Sequence, residues 1–580
     1  MEFRYDPTQG GFQVNMGGTP REPKPRKPRK AVGSKGARIA INVAVTLVFG
    51  LVYFYVSLPA INPHAEELYG FIFLLCLVYC GCAALTSGFQ GEGAKGYFTF
   101  VKQQCKIPFF IIAALIAVGL VGAISSWVVL RAGSYQKLLT VQPGDFASEV
   151  DEISYDQIPM LDGASAQRLG DRKLGELADM VSQFEVAGDY TQINYQGRPV
   201  RVTPLRYGDV IKWFNNRAKG LPAYLVIDMV TQNVEVVRLA DGMKYTTAEH
   251  FSRNLYRHLR FRYPTMMFDS PVFEIDEAGT PWWVCAKREK TIGLFGGDDN
   301  HGAVLVNAIT GESAYHEQVP AWVDHVYSAD LIIRQYDYYG QYHNGFLNSI
   351  FGQRDVTVTT QGYNYLAIGD DVWVYTGVTS VGGDESNIGF LLSNQRTKET
   401  HYYAVAGAEE FSAMGSAEGQ VQQMRYNATF PLLLNIADQP TYFMALKDAS
   451  QLVKMYAMVN VSQYQIVATG ASVMECETNY RAMLAKNGLI GEAQTEVVQS
   501  EELHERTGVI TDIRTAVIDG NTCFYFILRT GDTDGVVFRA DASKAPIAPL
   551  LSVGDEVTVL YRDVDVGQYW VDAYDLRAIN

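Results

Sequence analysis

Two groups of residues in this sequence have the types and spacing for recognition chemistry. The first is cationic. Arg253, Arg257, Arg260 and Arg262, with Lys244 upstream, crowd the segment 244–262. Residues 247–261 read as a helix in which Phe251, Leu255 and Leu259 recur every four positions and face a core. Arg253, Arg257 and Arg260 then share the opposite side. Such a stripe would hold anionic lipid headgroups or a wall polymer, or pair with neighbouring acids. The second group is the run YDYYGQYHNGF at 336–346, with Tyr336, Tyr338, Tyr339, Tyr342 and His343. Flat rings stack and polar tips hydrogen-bond, which suits sugar or peptide recognition as well as core packing.

Signatures of catalysis are missing. None of the nine His falls in an HxH or HExxH spacing. Asp298-Asp299-Asn300-His301, beside two glycines, reads as a solvated turn rather than a cation loop. Asp532-x-Asp534-Gly535 opens like a calcium loop but lacks the downstream bidentate Glu. There is no GxSxG elbow and no Walker loop. Ser134 and Lys137 match SxxK without its companion motifs. Cys285 sits in a strand read as buried, where a thiol is inert. Asp324, Asp330 and Glu409 are carboxylates available for a glycosidase pair, with nothing in the sequence to choose among them. The expectation is a non-catalytic protein with no cofactor and no metal. An envelope hydrolase using an acidic pair is one alternative. An accessory subunit of a transport or secretion complex is another.

The elements that must carry these groups begin with a membrane anchor. Residues 39–61, 68–89 and 107–130 are free of Asp, Glu, Lys, Arg and His and long enough to span a bilayer as helices. Transport pathways usually need ionisable groups inside the membrane, which argues against a pump. Residues 1–138 carry a net charge of +8 and the remainder −23. Eight Lys and Arg at 21–38 precede the first span and three lie between the second and third. The turn at 62–67 has neither. The positive-inside rule then expects a multi-pass protein of the cell membrane, with a cytoplasmic N-terminus and a large extracytoplasmic C-terminal region. The leader, with PREPKPRKPRK at 20–30, reads as disordered and attracted to anionic lipid.

Hydrophobic residues make up 48% of the 580 and charged residues 19%, which excludes a disordered or collagen-like chain. Only Cys285, Cys476 and Cys523 follow the spans, so no disulfide framework or CxxC site is expected there. The resulting layout is a leader (1–38), three spans (39–130), a linker (131–165), an α+β domain (166–340), a second α+β domain (341–492), a linker (493–505) and a small all-β barrel (506–580). GAVLVNAITGES at 302–313 and AYLVIDMVTQNVEVV at 223–237 resemble the strand–turn–strand hairpins of PepSY-type domains. That resemblance implies an extracytoplasmic module that binds or regulates. Five strand-like stretches in 506–580, with turns at Asp519-Gly520 and Asp534-Gly535, resemble an OB-fold. This last segment is acidic and lacks the basic groove that nucleic acid needs, so no nucleic-acid partner is expected. The expected partners are the bilayer and a protein or wall polymer at its outer face.

Overall fold

The computed structural model describes residues 2–6, 11–15, 31–89, 93–152, 158–382, 386–491, 494–495, 504–518, 521–529, 536–541, 545, 547–561 and 571–578. Within the leader, Glu2–Asp6 and Gly11–Asn15 form an antiparallel pair, a difference from the fully disordered segment expected. The run at 20–30 lies outside the described residues.

Three helical runs are long and apolar enough to cross a membrane. They are α1 (Lys35–Ser57), α2 (Glu66–Thr86), and a 33-residue run made of α3 (Gly93–Phe100), a π-turn (Val101–Cys105) and α4 (Lys106–Ser125). Ser34 caps α1, its hydroxyl accepting from the Ala37 amide. The wide turn falls where Pro108 has no N–H to return to the preceding turn, a usual cause of such bulges. The third run ends at Ser125 rather than 130. Trp127 is extended, and α5 (Val128–Tyr135) leaves from there. Gly50 brings α1 close to Leu75 and Phe71 of α2, and Tyr53 stacks on Phe71 at 5.6 Å.

The segment expected as a linker is instead a strap. Leu139 is buried beneath a later sheet, and Gln142–Gly144 pairs in parallel with Thr400–Tyr403. Next comes α6 (Phe146–Glu149), which together with Val150 and Ile158 enters the core of the distal half. Its apolar residues are irregularly spaced and so carry no periodic signal. Glu152 accepts from the Ala437 amide at 3.0 Å and pairs with the buried Arg481.

Beyond the strap, α7 (Gly163–Gly175) is capped by Asp162 and leads into a five-stranded antiparallel sheet. Its strands are Phe184–Val186, Thr191–Tyr195, Arg198–Tyr207, Leu221–Asp228 and Val234–Met243. The short α8 (Val210–Asn216) interrupts it. After α9 (Leu255–Arg262) a second five-stranded sheet is built on the long hairpin Pro281–Ile292 and Gly296–Asn307. These two sheets share one core, with Trp283, Tyr224, Phe273 and Leu259 inside it. The expected turn Asp298–His301 is part of this hairpin's strand. Lys290 pairs with Asp298 and Lys398 with Asp299, both at 2.7 Å, so these carboxylates hold elements together.

The boundary expected at 340 moves forward. Helix α10 (Ala329–Gln341) packs through Ile332 and Tyr336 on Val374, Val378 and Leu391 of a third sheet, so it belongs with the distal half. A fourth sheet, flanked by α11 (Glu410–Gln420) and α12 (Val473–Lys486), completes that half. Its core is among the largest in the molecule, and Tyr442, Phe443 and Tyr480 are fully buried within it.

At the C-terminus, five strands curl into a small sheet: His504–Ile518, Asn521–Arg529, Val536–Asp541, Glu556–Tyr561 and Val571–Ala578. The first pairs with the second and the fourth, and the third pairs in parallel with the fifth. Phe526, Phe538, Leu528 and Val557 fill the interior.

Arg481, nearly inaccessible, donates from Nε to Glu477 at 2.8 Å and from Nη2 to Glu152. Removing one partner of a buried ion pair costs about 3–5 kcal/mol, because a charge stays buried alone. Arg481→Ala is expected to lower the thermal midpoint of the distal half in detergent. An unchanged midpoint would contradict a strap that holds this half together.

Candidate functional site

Helix α9 carries the cationic stripe, and its core face explains the orientation. Leu255 and Leu259 are buried, and Asn254 caps the first turn by accepting from the Arg257 amide at 3.3 Å. The helix is shorter than the expected 247–261. Phe251 does not face the core: it has a φ of 53° and is 62% exposed. Its left-handed backbone breaks the i, i+4 pattern that placed it inside.

The arginines find carbonyl oxygens. Arg257 Nε donates to the Tyr55 carbonyl at 3.1 Å, its Nη1 to the Phe251 carbonyl at 2.7 Å, and its guanidinium lies 4.3 Å over the Tyr55 ring. Arg260 Nε donates to the Leu58 carbonyl at 2.9 Å and its Nη1 to the Met266 carbonyl at 2.7 Å. Tyr55 and Leu58 belong to the last turn and C-cap of α1, where helical carbonyls lack intrahelical partners. Two cations therefore sit at the negative end of that helix dipole. Arg253 reaches the Arg217 carbonyl after α8, and Arg262 reaches Ser313 Oγ at 3.4 Å. Lys244 stands apart, its backbone amide bonded to the Ala308 carbonyl. Among the described residues, none of the four arginines has a carboxylate within ion-pair distance.

Two further contacts complete the seat. The Ile61 amide donates to the Pro264 carbonyl at 2.8 Å, and Asn62 Nδ2 donates to the Thr265 carbonyl at 2.9 Å. The tip of the long hairpin, Gly293-Leu294-Phe295-Gly296, lies against the ends of α2 and α4. The Phe295 amide donates to Ser126 Oγ at 2.9 Å, and its ring meets Tyr69 edge-on at 5.4 Å. His64 Nδ1 bonds the Leu294 carbonyl at 2.9 Å. A side chain at Gly122 would strike Phe295, and one at Gly293 would strike the Ser125 backbone, so both glycines allow close approach. Between the end of α1 and α9 lies a cavity of about 450 Å³ lined by Ser57, His250, Asn254, Tyr256, Arg257 and Asp269.

The aromatic run divides between two faces of α10. Tyr336 is buried against the third sheet, with Tyr339 beside it at 5.8 Å and His343 next to Tyr339. Tyr338, Tyr342 and Phe346 stack in series at about 6 Å. Tyr338 also meets Tyr135, whose hydroxyl donates to the Ser126 carbonyl at 2.7 Å. The run thus reaches the end of α4.

A smaller cleft of about 240 Å³ lies at the junction of the first three sheets, lined among others by Arg201, His325, Ser328, Asp330, Tyr363 and Tyr365. The Arg201 guanidinium is buried and contacts neutral acceptors at 3.3–3.4 Å: Gln192 Oε1 and the Tyr190 and Leu161 carbonyls. The nearby Asp162 is engaged by Lys447 at 2.6 Å. This guanidinium suits a small anionic group entering the cleft. Beside it, Glu274 accepts from the Asp324 and His325 amides and contacts His325 Nδ1 at 3.0 Å. Asp324 Oδ2 accepts from the Asn194 amide at 2.8 Å. Burial first, then the Glu274 charge, raises the Asp324 carboxyl to about 9. The pair joins the sheets, and both residues are sealed from solvent.

Sequence reasoning named Asp324 but missed its partner Glu274, and it missed Arg201 and the Leu294–Phe295 tip. Only the tip carries a local signal, two large apolar residues between glycines. Family models and curated proteins, when compared with this chain, give no match. Among the described residues, no group of His, Cys, Asp and Glu is arranged to hold a metal ion.

Replacing Arg257 and Arg260 together by Ala leaves helix-end carbonyls without donors, at about 1–3 kcal/mol for each lost partner. The double variant is expected to melt earlier in detergent and to be cut faster by protease within 58–66; equal cutting of both proteins would contradict the seat. Asp324 gives stability a pH dependence of definite sign. Unfolded, Asp ionises near pH 4, whereas folded Asp324 keeps its proton to about 9, so the folded state binds the extra proton between these values. Stability from this group therefore falls as pH rises through that window. Asp324→Asn should flatten the fall, gaining most over wild type near pH 8.5 and least near pH 5, as read by thermal unfolding.

Proposed function

We propose that this chain is a non-catalytic, membrane-anchored binding or scaffold protein of a cell envelope, with a cytoplasmic N-terminus and its α+β region on the opposite side. The observation that carries the reading is the seat. The Arg257 and Arg260 bonds to the end of α1, with the hairpin tip against α2 and α4, hold the large region in a fixed attitude on the helices. A fixed attitude is what presentation of a binding surface requires.

The orientation rests on the Lys and Arg asymmetry, with Lys35 and Arg38 at the end of α1 remote from the seat. The C-terminal strands, in a ring whose third and fifth members pair in parallel, support the OB-like reading, used here for packing or protein contact rather than for nucleic acid. The hairpins at 223–237 and 302–313 support a PepSY-like regulatory role. The buried Arg201 beside an open cleft favours capture of an anionic group, such as a peptide carboxylate or an acidic wall polymer. The Glu274 and Asp324 carboxyls interact but are closed to substrate, which weighs against a hydrolase built on them.

The test is purification of the full chain from native membranes in mild detergent, with identification of co-purifying proteins and glycans. A reproducible protein or glycan partner, lost when Arg201 is replaced by Ala, is the expected result. Isolation of the chain alone with wall-hydrolysing activity would overturn the proposal.

A further inference from the structure

We infer that the α+β region carries its own lipid-contacting collar, two aromatic wedges that dip into the bilayer interface on either side of the helices. This rests on the reading that α1, α2 and α4 span a membrane.

The first wedge is formed by α8 and the turn at Phe251. Val210, Ile211, Phe214 and Phe251 all point outward, with Ile211 70% exposed. Trp213, buried beneath them, lies 5.8 Å from Phe251 and 4.7 Å from His250, so the two segments form one patch. The Trp213 indole is pinned by the buried Glu249, which also accepts from the Tyr207 hydroxyl at 2.6 Å. The depth of the patch follows from Arg257. A single guanidinium binds both the Phe251 and Tyr55 carbonyls, so Phe251 lies level with the last turn of α1. Exposed Phe261 lies at the same level, edge-on to Phe54 at 5.7 Å. A water-facing domain would not normally gather so many large apolar side chains in one place. Cations frame the patch: Arg217 lies 4.3 Å over Phe214 and Arg253 bonds the Arg217 carbonyl, while Lys212 is paired with Asp209 at 3.5 Å. Apolar tips below a cationic rim, on a region of strong net negative charge, match an interface of acyl chains beneath phosphate headgroups.

The second wedge follows α10. Gln335 donates to the Asp298 carbonyl on the long hairpin, and one turn later Tyr338 meets Tyr135, the last residue of α5, whose hydroxyl bonds the Ser126 carbonyl just after α4. The C-terminal end of α10 therefore approaches the helix ends. The ladder Tyr338, Tyr342 and Phe346 continues to Leu347, Ile350 and Phe351, all exposed, Phe351 at 82%. Tyrosines leading to bare apolar tips have the pattern of a membrane-interface belt. The two wedges flank α1 and α4, so the occupant that fits both is the bilayer already holding those helices.

The test uses the full chain in nanodiscs of phosphatidylcholine and phosphatidylglycerol containing a lipid with a photoreactive group near the top of its acyl chain. Each disc holds one copy of the chain, and adducts are mapped by mass spectrometry. Adducts at 210–217, 249–256 and 346–352, with their loss at the first two stretches in a Phe214→Asp, Phe251→Asp variant, are expected. Adducts in 39–57 and 107–125 report separately whether the helices are embedded. Span adducts without collar adducts would overturn this inference alone, whereas absence of both would overturn the membrane reading with it. Hydroxyl-radical footprinting of the same discs decides the remaining case. Wedges oxidised as in free peptide, or shielded without any lipid adduct, would each refute lipid as the occupant.

Discussion

A helix end is an electrostatic problem wherever water is scarce. The last carbonyls of α1 have no partners in their own helix, and the dipole concentrates negative charge there. A chain that enters water directly solves this with solvent. Here a folded region two hundred residues downstream supplies Arg257 and Arg260 instead. The choice of arginine follows, because its planar fork reaches several carbonyls while the charge stays fixed. Arg257 spans Tyr55 and Phe251, and Arg260 spans Leu58 and Met266. The helix end and the domain base become one hydrogen-bonded structure.

That constraint propagates upward. With α9 fixed, the sheet beneath it is fixed through Leu255 and Leu259, and its long hairpin must bring Leu294 and Phe295 to α2 and α4. The hairpin then aligns α10 through Asp298, and α10 carries the third sheet. The strap closes the circuit, tying the exit of α5 to the distal core through Leu139, Phe146, Val150 and Ile158. Binding surfaces on the distal half are in this way held at a set height and attitude above the helices.

Much of this was legible in the sequence, for identifiable reasons. The spans announce themselves by the absence of charge. The hairpins at 223–237 and 302–313 do so by alternation and turn chemistry, which act locally. The arginine stripe was legible as residues but not as contacts. Its partners are backbone carbonyls, which every residue has and which leave no mark on composition. Phe251 was misplaced because its positive φ breaks the helical repeat that periodicity assumes. The strap looked like a linker because Leu139, Phe146, Val150 and Ile158 contribute one at a time to different neighbours. Arg201 and the Glu274–Asp324 pair lie far apart in the chain from the residues around them, so only the tertiary fold brings their chemistry into being.

The central claim is that the α+β region is seated on the ends of the helices rather than tethered to them. Two amides cross that seat, Ile61 to the Pro264 carbonyl and Phe295 to Ser126 Oγ. Their hydrogen exchange, read at single-residue resolution in the intact chain in a bilayer, is the most direct measurement. A seated region predicts that both exchange slowly and accelerate together when Arg257 and Arg260 are replaced by Ala. Exchange at the rate of an open loop in the unaltered protein would contradict the account.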